Sequence, residues 1–274
     1  MGQTHHSRRR TDVSQAGPAR EAVNRAFKDA KLTIADIDPV VVATGPVLFA
    51  AVNQPERWVA NAIGASLKPL MCVRSDGGAG LAGALSAYYQ IAGGFADRVP
   101  VVAYDKLSDG ALQYSISTLY DPFWSREFAV GIMGFSAAYW RSRMEPLGHT
   151  EEAAAIVAVN NRRSAMLNPY AHVKKEVTVE EVLNSKPLAW PIKLLDVPPI
   201  SDGAAAIVLP SEDKAAQATD RPAWIRGMGY FCEADNAPAR SMSSRLLHEG
   251  ARRPGARQGR AGQGAHARLA RDGI

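Results

Sequence analysis

Cysteines and long apolar runs are the features that this sequence most clearly lacks. Its 274 residues include two cysteines, Cys72 and Cys232, whose separation matches neither a metal-binding nor a redox motif. We therefore expect no metal site and a reduced, cytoplasmic setting. The longest nearly apolar stretch, residues 39–52, contains a Gly-Pro break and is too short to span a bilayer. The basic N-terminus is not followed by an apolar segment, so no secretory signal is predicted.

The excess of positive charge is confined to one end of the chain. Residues 241–274 hold seven arginines and two acidic residues, which leaves 25 basic and 25 acidic residues elsewhere. Proteins that bind nucleic acid usually concentrate lysine and arginine on a folded face. The neutral remainder therefore argues against nucleic-acid binding. Residues 231–274, rich in glycine, alanine and arginine, are expected to form a disordered basic tail.

Apolar periodicity predicts alternating helices and strands. Residues 19–30 place alanines, Val23 and Phe27 at helical spacing, and the β-branched run at residues 39–44 is typical of a buried strand. Residues 75–91 begin with a glycine-rich turn and continue as a helix of very small residues, which indicates close packing against a neighbouring backbone. Further elements are expected as strands over 70–74, 98–104, 203–209 and 223–230, and as helices after the capping residues Thr150 and Thr178. This pattern favours a layered α/β fold with a helical insertion.

Three short motifs follow one another along the chain. Residues 77–85, Gly-Gly-Ala-Gly-Leu-Ala-Gly-Ala-Leu, precede a strand that ends in Asp105-Lys-Leu-Ser. Asn168-Pro-Tyr-Ala is followed by Thr178-Val-Glu-Glu-Val, and Ser201-Asp-Gly-Ala-Ala-Ala comes last. In this order the motifs resemble the nucleophile turn, the inserted loop domain and the last turn of the first half in the thiolase superfamily. The resemblance is greatest to its sterol-carrier and lipid-transfer members, also labelled acetyl-CoA acetyltransferases.

The resemblance covers about residues 1–230 and implies a fold, a chemistry and partners. The fold is a layered α/β/α thiolase-type domain with a loop domain inserted at about 110–199. The chemistry is acyl transfer that makes or breaks a carbon–carbon bond on an acyl-CoA thioester, lipid or steroid side chains included. Coenzyme A belongs to the substrate, and no bound cofactor or metal is expected. Thiolases pair through the strand beside the nucleophile turn, which implies a homodimer or a heteromer with a small partner protein.

The position of the family's nucleophilic cysteine is occupied by Gly77, counting back from Ile91. A glycine-rich turn at a helix N-terminus offers N–H groups and a positive dipole to an oxyanion, but glycine supplies no nucleophile. Asp76 is a candidate base at the mouth of the turn, with an Asx-turn or a helix cap as the alternative. Cys72 is a candidate stand-in nucleophile, with a buried, unreactive thiol as the alternative. The positions of four other residues in the motifs make them candidates for substrate binding: Gly78, Ser201, Asp202 and Gly203.

An aromatic group within the predicted loop domain permits two interpretations. It can line a pocket for an acyl or steroid chain, or it can form the core of the loop domain itself. Tyr120 and Tyr139 carry the hydroxyls that could donate to an enolate. The group comprises Tyr114, Tyr120, Phe123, Trp124, Phe128, Phe135, Tyr139 and Trp140.

The second half of the thiolase fold supplies a catalytic histidine and a second cysteine or its substitutes. We expect that half to be largely missing, so that the similarity ends after a strand over Ala223–Tyr230. Residues 231–274 are then either a genuine basic tail or the product of a shifted reading frame. Two classes of function stay open. One is an enzyme, either an acyltransferase or a retro-aldolase of the cysteine-less lipid-transfer branch, and the other is a non-catalytic pseudo-enzyme or acyl-CoA-binding subunit.

Overall fold

A computed structural model describes residues 1–123, 126–128 and 131–230. Trp124, Cys232 and the predicted tail over 231–274 lie outside these residues. The strands are β1 Gly2–Gln3, β2 Val40–Thr44, β3 Leu70–Arg74, β4 Arg98–Asp105, β5 Pro187–Ala189, β6 Ile192–Lys193 and β7 Gly203–Pro210. The helices are α1 Ala16–Ala30, α2 Pro55–Val59, α3 Ala79–Ala92, α4 Leu112–Ser117, α5 Gly131–Leu147, α6 Glu151–Leu167, α7 Val179–Leu183 and α8 Glu212–Ala218.

A five-stranded mixed sheet organises the first part of the fold. Its strand order is β1-β7-β4-β2-β3, with β3, β2 and β4 parallel to one another. β7 runs antiparallel to β4 along its whole length, from Arg98 opposite Pro210 to Asp105 opposite Gly203. The parallel strands are joined through helices, as the alternating sequence pattern predicts. Their carboxyl ends therefore lie at the same edge of the sheet.

Helices cover both faces of this sheet and give three layers. On one face α1 packs with Val40, Val42 and Val102, all of them fully buried. On the other face α3 packs with Val41 and Val101. Successive residues of β2 alternate between the two cores because side chains of a strand point to opposite faces. The predicted layered α/β/α architecture is confirmed.

The helical insertion is built from capped helices and has a small core of its own. The Thr150 hydroxyl accepts a hydrogen bond from the Ala153 N–H at 3.1 Å at the start of α6. Thr178 and Glu181 form the expected reciprocal capping box at the start of α7. The two helices pack around Ala155, Val177 and Val182. Both predicted helix starts are confirmed.

The strand expected over Ala223–Tyr230 is not formed, and this prediction is wrong. Residues 221–230 have no regular structure. A β-branched and aromatic segment becomes a strand only where a neighbouring strand can accept its backbone hydrogen bonds. The described sheet ends at β1 on one side and β3 on the other, and this segment pairs with neither.

Within residues 1–123, 126–128 and 131–230, no helix combines the length and the apolar character needed to cross a membrane.

Candidate functional site

A cavity of about 1040 Å³ lies where the carboxyl ends of the parallel strands meet the helical insertion. Phe49, Asp76 and Leu107, which follow β2, β3 and β4, form its wall on the sheet side. Its other walls come from α4, α5 and residues 191–200. In α/β proteins, ligands bind at this edge of the sheet because the loops after the strands converge there. The cavity is therefore the candidate functional site.

The aromatic group divides between the cavity and the surface. Tyr120, Phe135, Tyr139 and Trp140 line the cavity, and the rings of Tyr120 and Phe135 meet edge to face at 6.0 Å. By contrast, Tyr114 is 65% exposed and Phe123 86% exposed. Four of the described aromatic residues thus favour the interpretation as a pocket lining. Burial raises the pKa of Tyr120, so its hydroxyl keeps its proton at neutral pH.

The glycine-rich turn brings Asp76 to the mouth of the cavity and leaves open space beside it. Asp76 is exposed and its carbonyl accepts the Ala79 N–H at 3.0 Å at the start of α3. Gly78 occupies the N-cap position of α3. A Cβ atom built on Gly77 would meet no heavy atom within 4 Å. The position that resembles the nucleophile site therefore has room for a side chain and carries none.

Cys72 lies on the opposite face of the sheet from this turn. It packs against the core that β2 and β3 share with α1, whereas α3 covers the other face. Burial, with a smaller contribution from the nearby Glu56, raises the pKa of the Cys72 thiol to about 11. The thiol is therefore protonated at neutral pH and faces away from α3. This geometry gives no support to Cys72 as a stand-in nucleophile.

The motif at residues 105–108 is engaged in contacts that hold the fold together. The Asp105 carboxylate accepts the Gly45 N–H at 3.0 Å, and burial raises the pKa of this carboxyl to about 6. Lys106 is buried and its ammonium lies 2.7 Å from Asp109. A Cβ built on Gly45 would approach both the Phe49 ring and the Asp105 carboxylate. Asp105 thus holds the Gly45 N–H at the start of the loop that carries Phe49, which lines the cavity.

Asp202, the buried member of the third motif, connects three segments. Its side chain is fully buried and its carboxylate accepts hydrogen bonds from the N–H of Arg10 at 2.8 Å and the N–H of Ser108 at 3.0 Å. The Ser108 hydroxyl donates a third at 2.6 Å. Charged acceptors with several donors hold loops firmly in place. These contacts give Asp202 a structural role, and its binding of substrate stays a prediction.

Ser201 and Gly203, on either side of Asp202, each contact a histidine side chain. The Ser201 hydroxyl lies 2.7 Å from Nδ1 of His172, which joins the second and third motifs. A Cβ built on Gly203 would lie 2.5 Å from the His6 ring, so glycine is required for this approach. Neither residue lines the cavity. Their predicted binding of substrate stays a prediction, as does that of Gly78.

Comparisons with known proteins agree with this architecture. No protein-family profile matches the chain. It is 33% identical over 217 residues to an acetyl-CoA acetyltransferase of Methanothermobacter thermautotrophicus, covering 78% of this chain and 57% of that protein. The Ltp2-ChsH2(DUF35) aldolase superposes with a TM-score of 0.71 and 28% identity, covering 88% of this chain and 63% of that one. A monomeric SCP2-thiolase-like protein of Mycobacterium smegmatis gives a TM-score of 0.58 at 23% identity, covering 79% and 46%.

In sequence and fold the chain is similar to thiolase-type proteins. It spans about half the length of the curated relatives that it matches. The predicted resemblance and fold class are thereby confirmed, and the relatives have acyltransferase or aldolase names.

Sequence reasoning missed several polar residues that line this cavity. Asp121, Ser136 and Asp196 line the cavity, but none belongs to a recognised motif. Asp196 follows a short strand pair and accepts the Lys193 N–H at 2.8 Å in a 3₁₀ turn. A lone aspartate between apolar residues reads from sequence as a turn residue. Only the packing of residues 191–200 against α5 shows that it faces a pocket.

Proposed function

We propose that this chain binds the acyl group of an acyl-CoA thioester and cleaves or forms a carbon–carbon bond on it without a covalent acyl-enzyme. The observation that carries the proposal is the cavity at the start of α3. Its walls are mostly apolar and aromatic, which suits an acyl group. The turn at its mouth has Gly77 where a nucleophile would attack a thioester. The likeness to an aldolase at 28% identity supports the same class of reaction.

A retro-aldol cleavage needs a base and a stabilised enolate, and it needs no cysteine. The base takes the proton of the C3 hydroxyl of a 3-hydroxyacyl-CoA, and C3 becomes a carbonyl as the C2–C3 bond breaks. The electron pair of that bond moves into the thioester as an enolate, which is then protonated at C2. Asp76 is the carboxylate at the mouth of the cavity that can take the first proton. The N-terminus of α3 supplies the positive dipole that stabilises the enolate.

We extend the proposal to a heteromer with a DUF35-type partner, because the aldolase that superposes on 88% of this chain is a complex with such a protein. A homodimer is the alternative. Light scattering on the chain purified alone and co-expressed with such a partner distinguishes the two. A 1:1 complex that forms only on co-expression supports the heteromer, and a stable dimer of the chain alone contradicts it.

A second candidate function is that of a non-catalytic acyl-CoA-binding subunit. Two observations favour it. Gly77 offers no nucleophile, and Cys72 lies on the far face of the sheet. This candidate predicts acyl-CoA binding without turnover.

Two measurements on the full chain test the proposal. Equilibrium binding of decanoyl-CoA reports on the cavity, and release of a carbonyl product from a 3-hydroxyacyl-CoA reports on the chemistry. We expect Asp76→Asn to lower kcat by about 100-fold or more while Kd changes by less than about threefold. Asp97→Asn, an exposed aspartate at the opposite edge of the sheet, is the matched control and should change neither. Binding without any turnover supports the second candidate, and absence of binding contradicts both.

A further inference from the structure

The charge distribution around the cavity narrows the class of acyl group that it accepts. Asp76, Asp121 and Asp196 line the cavity. Among the described residues, its wall contains no lysine, arginine or histidine. The remaining lining is apolar or aromatic apart from Ser136 and the hydroxyls of two tyrosines. Within the described residues, the wall thus places acidic side chains, and no basic one, against a ligand carboxylate.

The basic group nearest to Asp196 is already paired with another carboxylate. The ammonium of Lys193 lies 2.5 Å from Glu151 and 3.8 Å from Asp196. Two carboxylates therefore share one ammonium, so the group of three keeps a negative charge. The Lys193 side chain is 8% exposed, and at this depth water screens the charges only partly. The field of Asp196 therefore reaches into the cavity.

Asp196 also has no spare hydrogen-bond donor to offer a ligand anion. Its Oδ2 atom accepts the Lys193 N–H at 2.8 Å, and its Oδ1 atom is buried without a partner among the described residues. A ligand carboxylate placed against this wall would leave water and gain no donor from Asp196. Desolvation of the ligand carboxylate and its repulsion by Asp196 both oppose binding in this position. An uncharged chain meets neither cost.

We infer that the cavity selects acyl groups that carry no negative charge, with Asp196 as the residue that excludes a carboxylate at the far end of the chain. This inference rests on the proposed function, in which the cavity holds the acyl group. The class of substrate is a CoA thioester of a neutral, apolar acid, and thioesters of dicarboxylic acids are excluded. The same charge argument places the phosphates of coenzyme A outside the cavity mouth.

Three CoA thioesters, whose acyl chains have the same length but different terminal groups, distinguish repulsion by the aspartates from the cost of burying a charge. They are decanoyl-CoA, its analogue with a terminal ammonium and its analogue with a terminal carboxylate. Burial alone weakens binding of both charged analogues equally. Repulsion by the aspartates makes the carboxylate the weakest ligand, by about tenfold or more relative to the ammonium. Calorimetric titration of the full chain gives the three Kd values.

Single aspartate variants assign the effect to the wall. We expect Asp196→Asn, which keeps the acceptor for the Lys193 N–H, to reduce the ratio of the carboxylate Kd to the ammonium Kd by about threefold or more. Asp76→Asn, at the thioester end of the acyl chain, should reduce this ratio less. Asp97→Asn, outside the cavity, should leave the ratio unchanged. Equal Kd values for the two charged analogues on the wild-type chain would overturn the inference while leaving the proposed function standing. Failure of all three thioesters to bind would overturn both.

Discussion

Gly83 of α3 lies so close to Ala43 of β2 that a Cβ on the glycine would approach the alanine Cβ to 2.8 Å. The same Cβ would lie 3.2 Å from a methyl group of Val101 in β4. Both contacts are closer than side-chain carbons ordinarily allow. α3 therefore rests directly on the sheet because it has no side chain at this position. This contact fixes the height of the helix whose N-terminus reaches the cavity.

Replacing Gly83 by alanine should destabilise the protein. The added methyl group pushes α3 away from β2 and β4, at a cost of about 1–3 kcal/mol, which exceeds the gain in helix propensity of roughly 1 kcal/mol. Gly80→Ala is the matched control. Its Cβ would lie 3.8 Å from the Cβ of Ala103 in β4, an ordinary van der Waals contact. Denaturant titrations should show a lower free energy of unfolding for Gly83→Ala than for wild type, and no decrease for Gly80→Ala. Equal stabilities for the two variants would contradict the close contact.

Cys72 should react slowly with alkylating reagents in the folded protein. Its thiol has a pKa of about 11, so only about one molecule in a thousand carries the thiolate at pH 8. The rate of modification should rise tenfold for each pH unit up to pH 10 and should increase sharply in denaturant. Iodoacetamide labelling with peptide mapping measures it. Rapid modification at pH 7 would show that the thiol is activated.

Asp105→Asn should make the protein more stable at neutral pH relative to wild type. The folded carboxyl, with a pKa of about 6, holds its proton more tightly than the unfolded one, whose pKa is near 4. The folded state therefore binds more protons between pH 4 and 6, and wild-type stability falls as the pH rises through this window. Asparagine keeps an acceptor for Gly45 and has no charge to bury. The difference in the free energy of unfolding between variant and wild type should grow by up to about 3 kcal/mol from pH 4 to pH 7. A difference that stays constant over this range would contradict the raised pKa of Asp105.

Gly77→Cys should create a reactive thiol at the start of α3. The open space beside Gly77 accommodates the side chain, and the helix dipole lowers the pKa of a thiol placed there. We expect this cysteine to be alkylated at pH 7 many times faster than Cys72 in the same protein. Peptide mapping compares the two sites within one sample. A slower reaction at position 77 than at Cys72 would contradict the placement of the turn.

Local sequence signals predicted much of the fold because they act within a few residues. The Thr178 and Glu181 capping box, the β-branched run of β2 and the small-residue helix α3 all formed where expected. These elements could be located without any knowledge of their partners.

The lining of the cavity and the conformation of residues 223–230 depend on contacts between segments that are far apart in sequence. Asp196 faces the same cavity as Asp76, 120 positions earlier in the chain, because residues 191–200 pack near α5. Nothing in the local pattern around Asp196 reveals this. Residues 223–230 have strand-like composition, but no described strand pairs with them. Periodicity gives the tendency of a segment, while pairing decides its structure.

Intact-mass spectrometry after incubation of the wild-type chain with acetyl-CoA tests the central claim most directly. The claim is that the chain acts on acyl-CoA without forming an acyl-enzyme at the turn before α3. Because Gly77 carries no nucleophile and the half-buried Cys72 thiol lies on the far face of the sheet and is protonated, the mass of the protein should stay unchanged. The Gly77→Cys variant, treated in the same way, shows whether acetyl-CoA can reach the turn. A stable acetyl adduct on the wild-type chain that maps to Cys72 or to residues 75–78 would contradict the account.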